Sequence, residues 1–225
     1  MCMPNVRHLI EHLDVLGDYR QFAQDAESFG GDLEQMWAAI DNGADLLWFA
    51  AAVGVEPKQI IATACELLEE VFEQIETAGQ ETAQVLEAVH GWQRGERSAD
   101  DVDQSGWDAY ALIARMDPGK DLPPDANEVA DAAVWLTYLV RDFPLQMPPD
   151  PTESDDVSWS GSAWMIVDHL AYALTSHQSV DESSPNRRID AFGNAMRRFA
   201  ITIRERITGI EVQAAVHQRG IWPFC

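Results

Sequence analysis

Apolar residues recur at spacings of three and four along almost the whole chain, and no stretch sustains the two-residue alternation of a strand. The clearest case is 57–77. There Ile60, Ile61, Ala64, Leu67, Leu68, Val71, Phe72 and Ile75 form one wide stripe, and Glu66, Glu69, Glu70, Glu73 and Glu76 fill the other side. This is a helix with one face packed in a bundle and the other in water, and Pro57 suits its first turn. The same period predicts helices over about 5–28, 33–41, 46–53, 80–93, 99–116, 126–142, 160–177 and 186–213. In 99–116 the residues Val102, Trp107, Tyr110, Leu112 and Ile113 are expected to face the core, with Gly106 as a weak point.

Polar punctuation supports these boundaries. Asp32 with Gln35 and Ser98 with Asp101 have the spacing of capping boxes, Asp45 is expected to cap 46–53, and Gly54 to close it in the left-handed conformation. The segments DPGKDLPPDAN at 117–127, QMPPDPTESDDVSW at 146–159 and SVDESSPNR at 179–187 read as loops. Short breaks between long helices favour antiparallel neighbours. The expected fold is all-α: an antiparallel multi-helix bundle of about eight helices, a single helical domain over 1–225 with a flexible acidic loop at about 144–161. A chain of 225 residues has the length to bury a sizeable core.

Charge changes the picture most. Residues 1–186 carry 35 acidic and 8 basic groups, a net of -27, while 187–225 carry 3 acidic and 7 basic groups, a net of +4, together giving the overall -23. Such a chain repels nucleic acid and anionic lipid and attracts cationic proteins. The Arg cluster Arg187, Arg188, Arg197, Arg198, Arg204 and Arg206 is expected to dock against the acidic body, with a homodimer contact as the alternative.

The cysteines, Cys2, Cys65 and Cys225, form no C-x-x-C pair and read as reduced thiols of a cytoplasmic protein. Cys65 is expected in the core, with no histidine evident beside it. The N-terminus turns acidic too early for a signal peptide. The longest apolar run, LLWFAAAVGV at 46–55, is about half a membrane span, so no membrane association is expected.

The stretches DLLWFAAAVGVEPKQIIATACELLEEVFEQIE at 45–76 and VLEAVHGWQRGERSADDV at 85–102 carry Ala64–Cys65 within a helix and Trp92–Gln93–Arg94–Gly95–Glu96 at a helix end. In these features the chain resembles the Imm-5-like family of bacterial immunity proteins over about 40–142. The resemblance implies a helical protein that neutralises a toxin made by the same or a neighbouring cell.

Catalytic motifs are weak by comparison. His8-Leu9-Ile10-Glu11-His12 has the inverted-zincin spacing but reads as a surface pair beside Leu9 and Leu13. Asp168 and His169 are adjacent and point apart on a helix. His169 and His177 would need a third ligand, from His90 or His217, to hold a metal. Glu69–Glu70, Asp100–Asp101 and Asp155–Asp156 read as solvated faces. Di-iron bundles need Glu-x-x-His elements on neighbouring helices, and the chain is expected to offer none, which argues against such a site. No phosphate-cradling loop or G-x-S-x-G occurs.

No catalytic residue, metal or cofactor is therefore expected. Asp150, Glu153, Asp155 and Asp156 with Trp159 are the candidate partner-binding residues, carboxylates beside one apolar anchor. The function expected is that of an immunity-type protein binding a basic toxin such as a nuclease. The alternative is a helical scaffolding or regulatory protein, and a metal-dependent enzyme ranks below both.

Overall fold

The computed structural model describes residues 32–75, 79–114, 123–143, 159–178 and 185–218, and every regular element among them is a helix. Asp32 begins the first, α1 (Leu33–Ala39), by accepting the Gln35 N–H at 2.9 Å, while the Gln35 side chain returns a bond to Asp32 at 2.7 Å. Helix α2 (Gly43–Val53) starts one turn earlier than the sequence suggests. Asn42, not Asp45, is its cap and accepts the N–H groups of Ala44 and Asp45. Asp45 instead accepts the Trp164 indole at 3.3 Å. Gly54 ends α2 at φ +89°, the left-handed terminator expected there.

Pro57 opens α3 (Pro57–Phe72), and Gly79 opens α4 (Gly79–Gln93). A reciprocal cap follows at Ser98 and Asp101: the Ser98 N–H reaches the Asp101 carboxylate at 2.8 Å, and the Asp101 N–H reaches Ser98 Oγ at 3.1 Å. This cap begins α5 (Ala99–Ala114). Helices α6 (Pro124–Arg141) and α7 (Trp159–His177) come next and make the most extensive pairing in the molecule. Both helices bury alanines, Ala126, Ala132 and Ala133 on one and Ala163, Ala171 and Ala173 on the other, and small buried residues permit close helix packing.

The helix expected over 186–213 is two helices, α8 (Pro185–Arg206) and α9 (Gly209–Gln218). The break is a capping box. Thr208 N–H and hydroxyl both reach the Glu211 carboxylate, at 2.7 and 2.8 Å, and the Glu211 N–H returns to Thr208 Oγ1 at 3.3 Å. The freed Ile207 carbonyl accepts the Trp37 indole at 3.0 Å. These bonds hold Glu211 below the ordinary carboxylate range, with the Thr208 backbone N–H the main cause. Thr208→Ala should lower stability by about 1 kcal/mol, read as a shifted urea midpoint with an unchanged slope.

Helix α7 is the hub: α2, α3, α6 and α8 all pack on it, while α6 also carries α5 and α4, and α9 lies on α1. One hydrophobic cluster draws on every described helix, with Trp48, Phe49 and Phe199 the largest of its fully buried side chains. No described helix is long and apolar enough to cross a membrane.

The register of α5 differs from expectation. Trp107 and Tyr110 are 52% and 48% exposed; Val102 is buried as expected, Gly106 and Ala109 face inward with it, and the side chains of Leu112 and Ile113 lie outside the described residues. The reason is the closeness of α6. A Cβ at Gly106 would lie 2.3 Å from Thr137 Oγ1 and 2.9 Å from Thr137 Cβ. Only glycine fits at that crossing, so the small-residue stripe turns inward and the bulky aromatics turn out.

Candidate functional site

The outward face of α5 combines apolar and acidic groups in one place. Trp107 and Tyr110, three residues apart, stand on the same side of the helix and meet edge to face, ring centroids 6.1 Å apart. Asp103 accepts the Trp107 indole N–H at 3.2 Å, and Gln104 bonds Asp108 at 3.0 Å one turn along. Asp100 and Asp101 stand exposed in the first turn. Hydrogen bonds from Ser98 hold Asp101 below the ordinary carboxylate range, so it is charged at neutral pH. A half-exposed aromatic pair framed by carboxylates offers apolar contact area with a polar rim.

The basic C-terminal region is largely engaged within the molecule. Arg206 grips Glu66 with two bonds, 2.6 and 2.5 Å, Arg198 pairs with Glu70, and Arg204 donates to the Ile40 carbonyl at 2.6 Å beyond the end of α1. Docking against the acidic body is thus realised by these three, while Arg197 bonds Asn194 of its own helix at 2.6 Å.

Of the partner-binding residues expected from sequence, Trp159 opens α7, is half-buried and donates its indole N–H to the Leu139 carbonyl at 3.0 Å, tying α7 to α6. Asp150, Glu153, Asp155 and Asp156 lie outside the described residues, as do His8, Glu11 and His12.

Among the described residues the histidines do not assemble as a group. His177 Nδ1 lies 2.8 Å from Asp125 and His169 Nδ1 2.6 Å from Glu128, both pairs joining α7 to α6. Around His169 three carboxylates converge: Glu128 and Asp131 from α6, Asp168 from α7. Burial disfavours the charged imidazole, but the Glu128 hydrogen bond and the surrounding carboxylates outweigh it and raise the His169 pKa. Burial pushes Asp168 up to about 6, with Glu128 adding to the shift and His169 opposing it. Asp131 is also raised, chiefly by burial.

Cys65 is buried on α3, as expected, but it has a histidine neighbour after all. His90 of α4 places Nε2 3.4 Å from Cys65 Sγ and 3.2 Å from a Glu69 oxygen. Burial, then the Glu69 and Glu66 charges, push the thiol up to about 12, which removes it as a free nucleophile at neutral pH. The group opens on a cleft of about 380 Å³ lined by Phe72, Glu73, Leu86, Glu87 and Arg94. Part of a signal for it exists in the sequence, since Cys65 and Glu69 are four apart on one helix; Glu87-Ala88-Val89-His90 corrects the expectation that no Glu-x-x-His occurs, although Glu87 pairs with Arg97 and stands outside the group. No protein-family model, no curated protein and no solved structure matches this chain.

Proposed function

We propose that this chain is a cytoplasmic acidic binding protein that occludes a basic protein partner, an immunity-type protein acting on a cationic toxin such as a nuclease. The observation that carries the reading is the Trp107–Tyr110 pair, exposed within carboxylates on a chain whose first 186 residues carry a net charge of -27. Arg198 and Arg206 pair with Glu70 and Glu66, and Arg204 donates to the Ile40 carbonyl, so these cations sit beside acceptors of the body rather than forming a separate basic patch. Asp150, Glu153, Asp155 and Asp156 add to the negative charge. A negative surface of this kind imitates the charge of nucleic acid, and aromatic anchors within it supply short-range affinity. The resemblance to the Imm-5-like family points the same way.

Capture on the tagged chain, from cells of its own organism, tests the reading. Wild type is expected to recover a basic protein at low salt and to release it as salt rises. W107A should weaken its binding about thirtyfold, the effect of losing an interface anchor of about 2 kcal/mol. Its folding stability should move by no more than about 0.5 kcal/mol, because the residue lies outside the core. An acidic captured partner, or one indifferent to W107A and to salt, would count against the proposal.

A further inference from the structure

We infer that Cys65, Glu69 and His90 form a binding site for one divalent cation of the zinc class, with its remaining position open to the cleft between α3 and α4. The inference does not depend on the partner-binding reading.

Three observations support it. The donor atoms come from two helices yet all lie within 4.8 Å of one another. Two of the three spacings are close to those that zinc imposes: bonds of about 2.3 Å to sulfur and about 2.0 Å to nitrogen and oxygen, set tetrahedrally, imply edges of about 3.6 Å for sulfur–nitrogen and about 3.3 Å for nitrogen–oxygen. The observed edges are 3.4 and 3.2 Å. Moreover, the same nitrogen, His90 Nε2, faces both the sulfur and the carboxylate oxygen. One ring proton serves only one of those partners at full strength, whereas a cation at their common centre satisfies all three.

The surroundings separate this group from its neighbours. On the same helix Glu66 is paired with Arg206 and Glu70 with Arg198, while Glu69 faces His90. The second three-donor group, Glu128, Asp131 and His169, lacks a sulfur and is closed by a 2.6 Å hydrogen bond between His169 and Glu128. A thiolate, an imidazole and a carboxylate together suit a borderline-soft ion such as Zn²⁺ better than Mg²⁺ or Ca²⁺. Three protein ligands with a fourth position facing a cleft is the arrangement of zinc sites that admit water or an exogenous ligand. On binding, the Cys65 S–H bond breaks, the sulfur electron pair goes to the cation, and the proton leaves to the buffer.

The test uses the full chain in a C2S/C225S background, so that Cys65 is the sole thiol, with Co²⁺ and Zn²⁺ as probes. Co²⁺ should produce a thiolate-to-cobalt charge-transfer band in the near ultraviolet and the strong visible bands of a four-coordinate ion, and Zn²⁺ should displace it one for one. C65A should abolish the charge-transfer band. E69Q, at a half-exposed position that spares the core, should weaken Zn²⁺ binding beyond the ~10–100-fold that losing a supporting partner costs. It should do so with unchanged helical circular dichroism. H169Q should leave both spectra and affinity as in the parent chain. Absence of the charge-transfer band would overturn the inference. So would Zn²⁺ affinity that survives E69Q and falls with H169Q, since the ion would then sit at the Glu128–Asp131–His169 group. Should C65A fail to fold, E69Q and H169Q decide between these outcomes.

Discussion

Replacing Gly106 by Val should destabilise the protein by about 3 kcal/mol, at the upper end of what overpacking a well-packed contact costs. Even the first added carbon would meet Thr137 Oγ1 at 2.3 Å. Thr137 cannot swing aside freely, because it is fully buried and its hydroxyl donates to the Val134 carbonyl at 2.8 Å. Relief therefore requires α5 and α6 to separate, exposing Val102 and Ala109. The better helix propensity of Val over Gly returns only a few tenths of a kcal/mol. G106V compared with W107A, by urea denaturation, makes the register measurable: the glycine should be the sensitive position and the adjacent tryptophan the tolerant one. Adding T137A to G106V should recover part of the loss, a coupling between residues in contact. Equal losses at 106 and 107 would contradict the register.

Asp168→Asn should stabilise the protein above about pH 6 and have little effect below about pH 4. In the fold the Asp168 carboxyl is raised from 3.8 to about 6, chiefly by burial. A raised acid opposes folding once it ionises. Below the unfolded pKa it is neutral in both states and contributes nothing. The penalty grows as pH rises through the window from 3.8 to about 6 and then stays constant. A shift of this size corresponds to about 3 kcal/mol at most, and solvent screening at this partly exposed group, together with the altered hydrogen bonding of Asn, leaves about 1–2 kcal/mol recoverable. His169 acts alongside it. Its raised pKa means that pairing with Glu128 contributes fully below the ordinary histidine value and fades as pH rises through the folded one. From these two groups wild type should therefore lose stability between about pH 4 and pH 6, as Asp168 ionises, and again as pH rises above the ordinary histidine value, and D168N should flatten the first of these slopes. A D168N gain that is the same at pH 4 and pH 8 would reject the account.

Much of the fold is legible in the sequence because each helix carries its own local signals. The stripe and acidic side of α3, Gly54 as a terminator, and the caps at Asp32 and Ser98 depend on neighbours within a few residues and stand as read, although α3 ends at Phe72 rather than at 77 and Glu76 lies outside the described residues. Where the reading departs, a local signal was given the wrong weight or the deciding partner is distant in sequence. Thr208 and Glu211 form a capping box as clear as that of Ser98, but it sits inside a continuous periodic pattern and splits the last helix. The α5 register is set by Thr137, 31 residues from Gly106, and size alone would send Trp107 inward. Cys65 and His90 are separated by 25 residues and meet only because α3 packs on α4. The charge asymmetry, by contrast, is legible directly, and the structure adds which arginines are engaged.

The central claim is that the acidic, aromatic face of α5 binds a basic partner. Titration of the captured partner into wild type and into a W107A/Y110A double variant, followed calorimetrically at low and raised salt, tests it most directly. The account predicts saturable one-to-one binding by wild type that weakens with salt, and loss of binding by the double variant with its thermal unfolding unchanged. Equal affinity of the two chains, or binding indifferent to salt, would contradict it.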